Sequence, residues 1–220
     1  MIIRSFLLGA SYFFYNHQEI LIKLKKAISI IVVVLLIDQI SKIYIKTNFL
    51  YGEEVVVFDW FRIHFIENNG MAWGAEFGGK AGKLFLTVFR LFAIAGIGYW
   101  LYTSVKNKAH SILIVAISLI FAGAMGNIID SVFYGVIFDT PVHATATLFS
   151  NEPYGSLLFG KVVDMLYFPI WSGNLPDWLP FWGGKPFTFF NAIFNVADTA
   201  ISSAVGLLII FNKKAFPKEL

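Results

Sequence analysis

The chain has 220 residues, a mean hydropathy of +0.69, 57% hydrophobic residues and 14% charged ones, where a soluble domain carries about 25% charged residues. This balance excludes an ordinary soluble globular protein and reads as an integral membrane protein of one domain spanning residues 1–220. The absence of cysteine excludes disulfides, a thiol nucleophile and a thiolate metal site, and the net charge of +3 acquires meaning only through its placement.

Residues 1–26 form an N-terminal extension. Its apolar part, within 1–22, is short for a span and reads as an interfacial segment or as the product of a misplaced start codon, with a cleaved signal peptide as the further alternative. A hydrocarbon core needs roughly 20 apolar residues per helix. Four segments meet that length, about 27–45, 84–105, 111–129 and 188–211. Lys23, Lys25 and Lys26 precede the first, Lys106 and Lys108 separate the second from the third, and Lys213, Lys214 and Lys218 follow the fourth. Cytoplasmic loops retain the positive residues, so both termini are expected inside and the loops 46–83 and 130–187 outside. In the first outer loop, "VVVFDWFRIHFIEN" is rich in β-branched and aromatic residues and predicts one or two strands. The second carries "YFPIWSGNLPDWLPFWGGKPF", whose tryptophans favour the membrane interface. The expected fold is therefore mainly α, with four transmembrane helices, a small β cradle in the first outer loop and an aromatic-rich interfacial second loop.

Polar residues inside such spans are costly and point to function. Thr188, Asn191, Asn195, Asp198 and Ser202 recur at spacings that place them on one helical face. Asparagine and threonine serve as interhelical glue, but an aspartate is poorly explained that way. Asn127 and Asp130 end the third span, where Asp130 also reads as a solvated helix end. Gly123, Ala124 and Gly126 there are small enough to allow close helix approach. Asp38 and Lys42 have the i, i+4 spacing of a structural ion pair. Asp164 lies near the interface in "KVVDMLYF". Ser41 and Lys42 are sequence neighbours and do not face each other on a helix, which disfavours a serine–lysine pair. His17, His64, His110 and His143 have no ligand spacing, so neither metal nor cofactor is expected. Two neighbouring carboxylates sharing a proton could hydrolyse an amide, one acting as base on water and the other as acid.

Five ordered boxes, "DQISK" (38–42), "NNGMAWG" (68–74), "GAMGNIID" (123–130), "VVDM" (162–165) and "FNVADTAI" (194–201), together resemble the lipoprotein signal peptidase (signal peptidase II) family of bacterial membrane aspartic peptidases. The resemblance implies a catalytic dyad of Asp164 and Asp198. It implies that Asn127 and Asn195 steady the dyad or the substrate backbone, and that Asp38, Lys42, Asn68, Gly70 and Asp130 shape the site. The implied substrate is a prolipoprotein cut before its diacylglyceryl-modified cysteine, with the loop 49–80 as an outer cradle. It also implies a multi-pass protein of the bacterial cytoplasmic (inner) membrane with its site on the outer side. Its partners would be this substrate and membrane lipids, without nucleic acid, and a monomer is expected. Two departures stand out. Ser131 occupies the place of the family's arginine, whose contact is then either absent or replaced, with Lys161 the candidate replacement; and an insertion lies between Asp130 and Asp164, beside Met165 where the family commonly has phenylalanine. The alternatives are a proton-coupled transporter with Asp38, Asp130 and Asp198 as a relay, and an assembly protein whose polar residues only join helices.

Overall fold

A computed structural model describes residues 2–70 and 79–217, residues 2–16 through their backbone only. Residues 71–74 of the second box lie outside the described residues. The chain forms two compact units, one of residues 1–36, 90–125 and 197–220, the other of 37–89 and 126–196. In chain order the elements are α1 (Ile2–Asn48), β1 (Glu54–Phe58), β2 (Phe61–Asn68), α2 (Gly79–Lys106), α3 (Ser111–Ile129), a π-helical turn (Asp130–Tyr134), α4 (Gly135–Ile137), β3 (Val162–Tyr167), β4 (Trp171–Asn174), β5 (Pro186–Phe189), β6 (Ile193–Phe194), α5 (Val196–Ile210) and α6 (Asn212–Ala215).

Among the described residues, two stretches, Gly79–Lys106 and Ser111–Ile137, are long and apolar enough to cross a membrane, and α5 is a shorter apolar helix. In the first unit, Ala27, Val105 and Ile114 form one buried cluster, and Leu113, Ile117 and Ala215 another. A Cβ at Gly123 would collide with the carbonyl of Ala197 and come within 2.7 Å of Ile201 Cγ1. The absence of a side chain there lets α3 lie directly on α5, as small residues do between membrane helices. Large apolar side chains such as Phe92 and Tyr99 are exposed on α2, a surface suited to lipid rather than water.

The second unit holds a four-stranded antiparallel sheet in the order β1-β2-β3-β6. The expected strands of the first outer loop are present as β1 and β2; the second loop adds β3 to them, and the start of the expected fourth span adds β6. Beneath the sheet, Ile45, Phe65, Tyr134, Phe138, Val163 and Met165 make a core. A separate hairpin, β4–β5, pairs Trp171 with Phe189 and Gly173 with Phe187 on one face, and Ser172 with Thr188 on the other.

Three boundaries differ from expectation. α1 starts at Ile2, so the N-terminal extension continues the first helix. The fourth helix starts at Val196, not 188: Thr188 lies in β5 and Asn191 between strands, so the polar face expected over 188–202 does not exist as one helical stripe. Asp130 is fully buried at a π-helical turn rather than solvated at a helix end.

Candidate active site

The second unit buries a continuous polar network. On α1, Asp38 and Lys42 are one turn apart and both fully buried. The Lys42 ammonium has three protons, and three acceptors surround it: Asp38 Oδ2 at 2.9 Å, Asp130 Oδ2 at 2.8 Å and Asn127 Oδ1 at 2.9 Å. Gln39 bridges the same carboxylates, its Nε2 donating to Asp38 Oδ2 and Asp130 Oδ1, each at 3.0 Å. Tyr134 in turn donates to Gln39 Oε1 at 3.2 Å. A buried cation next to buried anions is tolerable only with this degree of pairing.

The network runs on to Asp164. Asn127 Oδ1, oriented by Lys42, also accepts from Asn195 Nδ2 at 3.0 Å. That same amide donates to Asp164 Oδ1 at 2.7 Å. The other oxygen, Oδ2, accepts from Asn68 Nδ2. Asp164 is 4% exposed on β3, with both oxygens engaged by side-chain amides.

The Asn-x-Gly spacing of the second box has a local cause. Asn68 Oδ1 accepts the backbone N–H of Gly70 at 2.6 Å, and Gly70 takes a φ of +89°. The turn needs that left-handed backbone, which glycine adopts without a Cβ penalty. With its oxygen tied to the turn, Asn68 presents its amide nitrogen to Asp164. Asn69 is fixed by Lys83 of α2 at 3.0 Å.

The π turn after α3 positions β3. It turns carbonyls outward, so that Ser131 O accepts from Gly160 N at 2.9 Å and Val132 O from Leu158 N at 3.0 Å. Such turns often occur where a helix is re-aimed at a functional site. Ser131 is buried and donates to Asn127 O at 2.9 Å. Lys161 turns to Glu67, at 3.6 Å, and to the Tyr154 ring. Burial pushes the Tyr154 phenol up from its ordinary range, and its oxygen accepts the backbone N–H of Lys161 at 2.7 Å. Within the insertion, the backbone N–H of Thr147 holds the partly exposed Asp139 carboxyl below its usual range.

The second unit thus brings together Asp38, Lys42, Asn68, Gly70, Asn127, Asp130, Asp164 and Asn195. Asp198 belongs to the first unit, in the first turn of α5, where the Arg90 guanidinium attracts it. Sequence reasoning missed Gln39, although it lies beside Asp38. It also missed the buried pair of Lys46 and Glu67. A signal existed in the 38, 42, 46 spacing, which puts three charged residues on one face of α1.

A family model described as signal peptidase (SPase) II matches residues 30–212. The chain belongs to the signal peptidase II family. It is an aspartic peptidase of bacterial membranes that acts in lipoprotein processing. The lipoprotein signal peptidase of Porphyromonas gingivalis is 46% identical over 188 residues, covering 84% of this chain and 82% of that protein. The lipoprotein signal peptidase of Amoebophilus asiaticus is 36% identical over 195 residues, covering 86% of this chain and 78% of its own. A solved structure titled as a bacterial membrane enzyme superposes with a TM-score of 0.56 at 26% identity, covering 89% of the peptidase and 94% of that chain. The fold is therefore that of a membrane enzyme, mainly helical with small sheets.

Proposed function

We propose that the peptidase removes the signal peptide of diacylglyceryl-modified prolipoproteins, cutting before the lipidated cysteine, with Asp164 and Asp198 as its dyad. One observation carries the reading beyond family membership. Amides from two separate boxes, Asn68 and Asn195, converge on the two oxygens of Asp164, a degree of orientation that a carboxylate serving only as helix glue does not need.

In this mechanism the ionised carboxylate takes a proton from water as the water oxygen attacks the scissile carbonyl carbon. The protonated carboxyl gives its proton to the carbonyl oxygen. The resulting gem-diol returns a proton from one hydroxyl to the dyad as the carbonyl reforms. The amide nitrogen leaves as an amine with the proton first taken from water. Asn127 and Asn195 orient the reacting groups. Asp38, Lys42 and Asp130 fix the helices that supply them, and Gly70 shapes the turn that Asn68 caps.

We place four spans in the cytoplasmic membrane, both termini inside, and a single functional domain working as a monomer at the outer face. The family match lends no support to the transporter alternative. The deciding assay is a gel shift with purified protein and a prolipoprotein carrying its diacylglyceryl cysteine, run beside the unlipidated form. Cleavage of the lipidated form alone is expected; equal cleavage of both would remove the lipid from the recognition.

The β4–β5 hairpin is proposed to lie in the membrane interface. An isolated two-stranded hairpin is marginal in water, and this one exposes Trp171, Phe187 and Phe189 along a face and Trp178 and Phe181 in the connection between its strands. Aromatic residues of this kind favour the interface. Because the chain has no cysteine, Phe181→Cys gives a unique site for a spin label. In lipid nanodiscs the label is expected to be reached by oxygen more readily than by an aqueous nickel chelate. The reverse order would place the hairpin in water.

A further inference from the structure

A second buried ion cluster occupies the other face of the β2–β3 pair. Ile66 pairs with Asp164 and Asn68 with Val162, so these residues share one face, while Glu67 and Val163 share the opposite one. Glu67 Oε1 is bound by Lys46 Nζ, both side chains 2% exposed, and Glu67 Oε2 lies 3.6 Å from Lys161 Nζ. The Lys46 ammonium sits 5.2 Å from the Phe138 ring centroid and 5.1 Å from that of Tyr154. Lys161 lies 5.8 Å from the same Tyr154 ring. One carboxylate is thus held by two cations against an aromatic wall.

Burying such a pair gives little stability compared with apolar residues of the same volume. Its value therefore lies in geometry. Asp38, Lys42 and Lys46 form one stripe along α1. Lys42 ties the helix to the α3 end through Asp130 and Asn127, and Lys46 ties it to β2 through Glu67. The residue after Glu67 is Asn68, whose amide must reach Asp164 while its oxygen caps Gly70. Lys161 clamps the same carboxylate from the entry to β3, the strand that carries Asp164.

We infer that Lys46, Glu67 and Lys161 form a positioning cluster that locks β2 against α1 and β3 so that the Asn68 amide stays on Asp164. The inference rests on the reading of Asp164 as a reacting carboxylate. The three act through Asn68 and touch no reacting atom.

A double-mutant cycle tests it. Lys46→Met combined with Glu67→Leu removes the pair without leaving a buried charge alone. The double variant is expected to stay folded, with kcat about tenfold lower and KM within about twofold of the wild type. Asn68→Ala, costing about 30-fold in the wild type, is expected to cost less than about threefold on the double-variant background, because the contact is already lost. Equal cost of Asn68→Ala in both backgrounds, or an unchanged kcat in the folded double variant, would reduce the cluster to local packing. Hydrogen exchange at the Gly70 amide reads the same geometry without catalysis, in the double variant and in the milder Glu67→Gln. Faster exchange is expected in both, and unchanged exchange overturns the inference. If the wild type cleaves no lipidated substrate, the peptidase reading fails, while the exchange measurement still decides whether the cluster holds the turn.

Discussion

Asp198→Asn is expected to lower kcat for a lipidated prolipoprotein by about a thousandfold or more, because a dyad member that cannot exchange a proton can serve neither as base nor as acid. The fold should survive. Asp198 stands in the first turn of α5, where asparagine gives up about 0.3–1 kcal/mol of helix-dipole stabilisation together with the attraction of the Arg90 guanidinium. Asp164→Asn should cost as much activity but also stability. Both oxygens of Asp164 accept side-chain amide N–H groups, and a carboxamide has only one oxygen. Whichever way it turns, its own NH2 faces another amide donor. A buried polar group left unsatisfied costs about 1–3 kcal/mol. The check is single-turnover cleavage together with a thermal midpoint for each variant in the same detergent. An Asp198→Asn protein that keeps a tenth of the wild-type rate would remove Asp198 from the chemistry. An Asp164→Asn protein as stable as the wild type would contradict the two-amide contact.

Much of this site was legible because its residues are rare in their setting. Carboxylates and asparagines in apolar runs stand out, and Asp38 with Lys42 at i, i+4 already named a pair that the structure makes. What remained hidden was set by contacts distant in sequence. The run 188–195 is apolar and its polar residues fit a helical period, yet it forms strands, because β5 pairs with β4 and β6 with β3. Strand preference depends on such partners more than on the residues themselves. Phe190 between them takes a φ of +63°, a backbone no helix accommodates. Asp130 admitted a solvated reading because acids are cheap at a membrane surface. Only the position of Lys42 on another helix shows that it is buried and paired. β3 was obscured for a different reason: its first four residues are buried on both faces, which erases the alternation that marks a half-exposed strand. Glu67 read as an ordinary acid of an outer loop until its cation, 21 residues earlier on α1, came into view.

Lys42→Met is expected to destabilise the peptidase by about 3–5 kcal/mol, the cost of removing one partner from a buried ion pair. The side chain is fully buried, as are Asp38 and Asp130. Without the ammonium these two carboxylates would be left in a dry interior with only Gln39 between them. Asn127 would lose the donor that orients its oxygen toward Asn195, and with it the support of the Asn195 amide on Asp164. Activity should therefore fall along with stability. The two effects separate on a second substitution. Asp38→Asn on the Lys42→Met background removes one of the stranded charges and should recover a substantial part of the thermal midpoint. It cannot restore the orientation of Asn127, so kcat should stay low. Thermal midpoints and single-turnover rates of the single and double variants decide the matter. Recovery of rate and stability together would mean that Lys42 serves only to neutralise charge. Recovery of stability alone would make it the residue through which α1 aligns Asn127, Asn195 and Asp164.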